Sequence, residues 1–157
     1  MRHRFLALVL IAVLSFQCKP KEEKGAFSFT KKETQEQVQA SKTINLENKG
    51  VGPIDSVAIG AEIDEEMARK GGEVYSRKCT ACHKVGSTFI GPPPNGILKR
   101  RTPEWVMNMI LNPEEMLQKD SLAKALFMEF NGQLMTNQQV TVEEARAMVE
   151  YFRTLDP

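Results

Sequence analysis

Helical periodicity in this 157-residue chain begins only near residue 63 and runs to the C-terminus. No segment alternates convincingly as a strand, and there is no internal repeat. What remains for a folded domain is about 95 residues, interrupted by loops. A core of that size is marginal unless a staple, a metal or a large apolar group completes it. The expected fold class is therefore all-α, with helices wrapped around something large and apolar.

The helix starts can be read individually. Asp64 is placed to cap a first helix in which Met67, Gly71, Val74 and Tyr75 recur at helical spacing. "TPEW" begins a second, with Thr102 as cap, Pro103 in the first helical position, and Trp105, Val106, Met109 and Ile110 as its stripe. "NPEEM", from Asn112, begins a short third. "DSLAKALFMEF" supplies a fourth with Leu122, Ala125, Leu126, Glu129 and Phe130 on neighbouring turns, and Asn131-Gly132 stops it. In the last, Thr141 and Glu144 have capping-box spacing, and Ala145, Met148, Val149 and Phe152 share a face.

The N-terminal part reads differently. "MRHR" followed by the apolar run Phe5–Leu14 is too short to span a bilayer and has the form of an export signal, residues 1–17. Cys18 directly follows, and the arrangement resembles a bacterial lipoprotein signal in which that cysteine carries lipid; Gln17 departs from the usual small residue. Residues 18–62 are expected to form a flexible tether ahead of a domain spanning 63–157, with "VGPIDSVAI" open to a second reading as an extended segment docked on the domain. Removal of the signal takes the formal charge from +1 to −1 and leaves His83 as the one histidine. A near-neutral chain without a basic stripe gives no reason to expect a nucleic-acid partner.

The chemistry concentrates in "KCTACHK", where Cys79, Cys82 and His83 fall within five positions. A closed zinc site needs four ligands, and two cysteines with one histidine fall short. A redox dithiol normally follows a strand in a βαβ setting, which is missing here. Cys-x-x-Cys-His is also the signature of covalent haem attachment. Residues three apart in a helical turn share a face, so two sulfurs can meet one edge of a porphyrin while the adjacent histidine points at the iron.

With these residues, the stretch from about residue 64 to 156 resembles a class I, monohaem c-type cytochrome of bacteria. "GGEVYSRKCTACH" carries the glycine and aromatic expected ahead of the motif, Gly71 and Tyr75, and "GPPPNG" matches the family's Gly-Pro-x-x-x-Gly loop. The resemblance implies a cytochrome c fold around one covalent haem c, held by Cys79 and Cys82. It implies His83 as an iron ligand whose ring N–H is accepted by the Pro92 carbonyl. It implies that the C-terminal helix, with Met148 and Tyr151, packs on Gly71. With no second histidine in the processed chain, a methionine is expected as the sixth ligand, and Met135, in the loop "NGQLMTNQQV", occupies the matching place; Thr136 replaces the family's usual proline, and Met128 is the alternative. Trp105 is expected to line the haem and to hydrogen-bond a propionate, against a reading as plain core packing. Arg100 and Arg101 are either propionate partners or solvated charges.

The function implied is electron carriage between respiratory redox proteins outside the cytoplasmic membrane, not catalysis. The alternatives are a haem enzyme or gas sensor with an open distal site, or an electron-entry subunit of a larger reductase or oxidase. The sequence around "TACHKVGSTFIGPPPNGILKRR" is similar to cytochromes associated with bacterial respiratory reductases, nitrous oxide reductase among them. Arg77, Lys78, Lys84, Lys99, Arg100 and Arg101 lie near the haem-contacting segments and would form a basic docking rim, unless they are scattered solvated charges.

Overall fold

The computed structural model describes residues 39–155. Among these residues five α-helices form: α1 (Glu65–Lys78), α2 (Pro103–Leu111), α3 (Pro113–Lys119), α4 (Ser121–Glu129) and α5 (Val142–Thr154), with a short 3-10 helix at Ile97–Lys99. Among the described residues there is no strand, only isolated bridges at Asn45–Arg101 and Lys84–Ser87. The all-α expectation holds.

The helices begin where their caps dictate. The Asp64 carboxylate accepts the Met67 N–H at 2.8 Å, and the Thr102 hydroxyl accepts that of Trp105 at 3.0 Å. Thr141 and Glu144 close a reciprocal capping box. Asp120 terminates α3 and caps α4 by accepting the Ala123 N–H at 2.7 Å. Each such cap satisfies an amide that the helix itself cannot, a contribution of about 1 kcal/mol.

The central packing event is the crossing of α1 on α5. Val74 and Tyr75 of α1 meet Met148, Val149 and Phe152 of α5, all of them buried. Burial of each such apolar side chain stabilises the fold by roughly 1.5–3 kcal/mol. The helices can approach because position 71 has no side chain: a Cβ there would lie 2.0 Å from the Ala147 carbonyl oxygen. Tyr75 stacks edge-on against Phe152 with ring centroids 5.8 Å apart.

A second set of contacts sits at the N-terminal end of α1. Glu150 of α5 is 1% exposed. Its carboxylate accepts the Asp64 N–H at 2.9 Å and pairs with Arg146 at 2.7 Å and with Arg153. Burial pushes this carboxyl's pKa up. The Arg146 bond, the Asp64 N–H and the charges of Arg146 and Arg153 outweigh that and hold it below the usual carboxylate range. Arg153 also donates to the carbonyls of Gly60, Ala61 and Glu62, clamping the chain as it enters α1.

Two sequence expectations change. The tether was expected through residue 62, but residues 40–59 form a strap across α2 and α3, so the docked reading of "VGPIDSVAI" is the one adopted and extends to Ala40. Ala40 is buried, and Val51, Ile54, Val57 and Ile59 pack on the core. The strap has no ladder of its own, and apart from backbone bonds such as Asn45 N–H to the Arg100 carbonyl its backbone is satisfied largely by side chains. Asn108 of α2, 1% exposed, accepts the Ile54 N–H at 3.0 Å and donates to the carbonyls of Lys49 and Ile54 at 2.9 Å. Thr102 donates to the Asn48 carbonyl, and the Met116 sulfur accepts the Val51 N–H at 3.0 Å. The second change is in α4, whose buried positions are Leu122 and Ala123 rather than Ala125.

Substituting Gly71→Ala should force the α1–α5 crossing apart and lower stability by roughly 2–3 kcal/mol, read as a denaturant midpoint shift. For Glu150 the folded pKa is depressed, so its contribution is present above the unfolded carboxyl value and is lost as pH falls through the folded one. Glu150→Gln should cost about 3 kcal/mol near neutral pH. That difference from the parent should shrink progressively below about pH 4 in a urea-unfolding series.

Candidate haem site

Helix α1 ends in a tight turn that builds one side of a cleft. The Cys79 carbonyl accepts both the Cys82 N–H at 3.1 Å and the His83 N–H at 2.8 Å, folding the two residues back over the helix end. Tyr75, one turn before Cys79, donates its hydroxyl to the His83 carbonyl at 2.8 Å. Burial, with Cys79 and Tyr151 adding to it, pushes the Tyr75 phenol's pKa well above its ordinary value, so it remains a donor. The loop then returns: Gly91 N–H bonds to the Cys82 carbonyl at 2.9 Å, and the Pro92 carbonyl lies 2.8 Å from His83 Nδ1.

That last contact fixes the imidazole. With Nδ1 donating to Pro92, Nε2 is the nitrogen left with a lone pair. The ring is seated closely enough that a Cβ on Gly91 would lie 2.4 Å from its Cε1. A neutral imidazole oriented by a backbone carbonyl through its other nitrogen is how proteins present histidine to a metal.

The cleft has a volume of about 210 Å³ and walls that are mostly apolar. Cys79, Cys82, His83 and Pro92 form one wall, and Ile97, Trp105, Val106, Met109 and Ile110 continue it into the interior. Leu126 and Phe127 of α4, Phe130 at its C-terminal cap, and Leu134 and Met135 from the following loop complete the lining. The six haem-site residues expected from sequence thus meet at one cavity. Cys18 lies outside the described residues. Met109, expected as packing, faces the cavity as well, whereas Met128 is 73% exposed and does not line it. Met107, Met116 and Met148 are buried elsewhere.

Two further expectations are corrected. The Trp105 indole N–H is directed at Asp120 Oδ1, 3.3 Å away, rather than left for a propionate. Arg101 is 3% exposed, and its guanidinium donates to the carbonyls of Ala40, Thr43 and Arg100. It therefore belongs neither to a solvated rim nor to a free cationic pair. The cleft residues that sequence reasoning missed are Gly91 as cradle of the ring and the aromatic pair Phe127 and Phe130. The spacing of "FMEF" on α4 is the available signal for the latter.

The arrangement also decides against a redox dithiol. Both thiols are free. Cys79 caps the C-terminal end of α1, where the helix dipole disfavours a thiolate, and burial pushes its pKa up to about 11. A reactive dithiol needs the opposite shift. Among the described residues, no group of three or more His, Cys, Asp or Glu is placed to hold a bare metal ion. A largely apolar cleft lined by two thiols and an oriented imidazole instead fits a small helical domain closed around a covalently attached haem.

Comparison with known proteins agrees. Residues 68–156 match the cytochrome c family, and the chain belongs to it. It is similar to the solved cytochrome c from Rhodothermus marinus, with 36% identity and a TM-score of 0.65 over 74% of this chain and 93% of that one. An engineered form of that cytochrome is 35% identical with a TM-score of 0.64, covering 74% and 94% of the two chains. A further engineered form, bound to a carbene intermediate, is 34% identical with a TM-score of 0.62 and the same coverage. No curated protein sequence matches the chain. Cytochromes c bind haem c covalently and use its iron to pass electrons to and from redox protein partners.

Replacing Gly91 by alanine should push the imidazole off the Pro92 carbonyl. The expected result is a several-fold lower yield of haem-loaded protein at unchanged expression, measured as the ratio of haem to polypeptide absorbance.

Proposed function

We propose that this protein is a single-electron carrier with His83 and Met135 as axial ligands of one haem c bound through Cys79 and Cys82. The observation that carries the reading is the His83 Nδ1–Pro92 carbonyl bond, which leaves Nε2 as a ligand at the edge of a cleft also lined by Met135. The bound haem supplies an iron that changes oxidation state by one electron. The chain's own residues do the rest. The Pro92 carbonyl makes the imidazole a stronger ligand by drawing on its N–H. Met135 would hold the iron through its thioether, which would favour the reduced state and raise the potential. The apolar walls from Ile97 to Phe130 exclude water and lower the local dielectric, which also disfavours the extra charge of the oxidised state. If both His83 and Met135 hold the iron, no position would be left open for substrate, which would favour a carrier over a haem enzyme or gas sensor.

The proposed setting is the outer side of the cytoplasmic membrane. Export through residues 1–17 and lipid attachment at Cys18 would hold the domain near a membrane surface. No helix among the described residues is long and apolar enough to cross one. Respiratory reductases are the proposed partner class, nitrous oxide reductase being the example that the sequence suggests. Of the proposed rim, Arg77, Lys84 and Lys99 are exposed, with Lys84 lying 4.0 Å over the Phe89 ring. These would steer an acidic partner.

Visible and near-infrared spectra of the purified protein test the ligation. The oxidised protein should show the methionine-to-iron charge-transfer band, and the reduced protein should bind carbon monoxide slowly. Met135→Ala should abolish the band and admit carbon monoxide rapidly, while Met109→Leu leaves both unchanged. Persistence of the band in Met135→Ala would overturn the assignment. Replacing both Cys79 and Cys82 by alanine should release the haem to acid-acetone extraction, which the parent resists.

A further inference from the structure

The loop that presents Met135 is thinly held. Leu126–Phe130 and the Asn131-Gly132 turn close α4 with backbone bonds, ending at Gln133 N–H to the Phe130 carbonyl, 3.0 Å. Val140, 9% exposed, anchors the other end in the core. Between these points the remaining bonds among the described residues are few. Asn137 donates to the Leu111 carbonyl at 3.1 Å, and Gln139 N–H bonds locally to Asn137. The strongest external tie comes from across the cleft. The Lys78 ammonium donates to the Gln138 carbonyl at 2.9 Å and reaches the Gln139 carbonyl at 3.4 Å.

The placement of these groups is specific. Lys78 is the last residue of α1 and immediately precedes Cys79. Both Lys78 and Gln138 line the cavity. Gln139 adopts φ +52, a left-handed conformation that a residue with a Cβ occupies at a cost, so the loop needs an outside contact to stay in it. A bond from a charged donor to a carbonyl is stronger than a neutral one, and here one ammonium gathers two carbonyls on consecutive residues. Because three rotatable N–H groups are available, the pairing tolerates small movements of the loop while still opposing its departure.

We infer that Lys78 is a positioning residue that latches the Met135 loop to the helix carrying the thioether cysteine, and thereby controls how often the sixth coordination position opens. The inference rests on the Met135 ligation proposed above. It gives Lys78 a role different from that of a docking cation: the ammonium acts within the chain, on the distal loop, rather than on a partner. Loss of the latch leaves the cysteine and histidine attachments untouched and frees the thioether side alone.

The test uses the full-length, haem-loaded protein and the variants Lys78→Ala and Lys78→Arg. The first readout is the rate at which added imidazole binds the oxidised iron, which requires the protein ligand to leave. Lys78→Ala should accelerate it by about tenfold, the factor that one charge-assisted hydrogen bond supplies. Lys78→Arg, which keeps a multi-donor cation in reach, should stay near the parent rate. A docking-rim role would change the salt dependence of electron transfer and leave the imidazole rate alone. The second readout is hydrogen exchange of the amides from residue 134 to 140, expected to quicken in Lys78→Ala and not in Lys78→Arg. An unchanged imidazole rate with unchanged exchange overturns the latch. If the parent itself lacks the methionine-to-iron band, the ligation reading fails, and the exchange experiment alone then decides whether Lys78 holds the loop.

Discussion

The close crossing of α1 on α5 is the contact from which the site follows. It is possible because Gly71 lets the Ala147 carbonyl approach to where a Cβ would be. Once the crossing is set, the C-terminal turn of α1 has one position relative to the core. Tyr75 is then fixed to reach the His83 carbonyl, and Cys79 and Lys78 are fixed at the cleft edge. Glu150, buried between two arginines and the Asp64 amide, holds the other end of α1 on the same helix. The site is therefore borne on a rigid element gripped at both ends, which is what an iron ligand with little tolerance in angle and distance requires.

Much of this was legible in the sequence because the signals are local. Asp64, Thr102 and the Thr141–Glu144 pair mark helix starts through bonds spanning three residues. The Cys79–His83 cluster and the Pro92 loop lie within fourteen positions of each other, and their contacts are nearly as local. The glycine at 71 could be read as a crossing point because the family resemblance supplied its partner helix.

What was not legible are the contacts made between side chains and distant backbone. The strap has neither helical nor alternating pattern, so its sequence looks like tether. Its partners, Asn108 and Met116, are separated from it by more than fifty residues and read as ordinary helix positions. The same holds for Trp105, whose only side-chain donor is taken by Asp120, and for Arg101, whose charge is hidden under Ala40 and Thr43. A buried arginine is rare enough that the sequence suggested only a propionate partner or a solvated charge for it, and not a tie to the strap. On α4, Ala123 and not Ala125 joins Leu122 in the core, while Leu126, Phe127 and, at the helix's C-terminal cap, Phe130 address the cleft.

The strap has one consequence beyond packing. From residue 39 onward the chain meets its anchors in sequence order. They are Arg101 at Ala40 and Thr43, Glu129 at Ser41, Thr102 at Asn48, Asn108 and Met116 at Lys49–Ile54, and Arg153 at Gly60–Glu62. Any mechanical pull delivered to residue 39 would thus be shed onto α2, α3, α4 and α5 one anchor at a time. It must strip the whole series before it reaches Asp64. The helix that carries the cysteines would thus be isolated from any such pull, much as a cable is relieved of strain before it reaches its terminal.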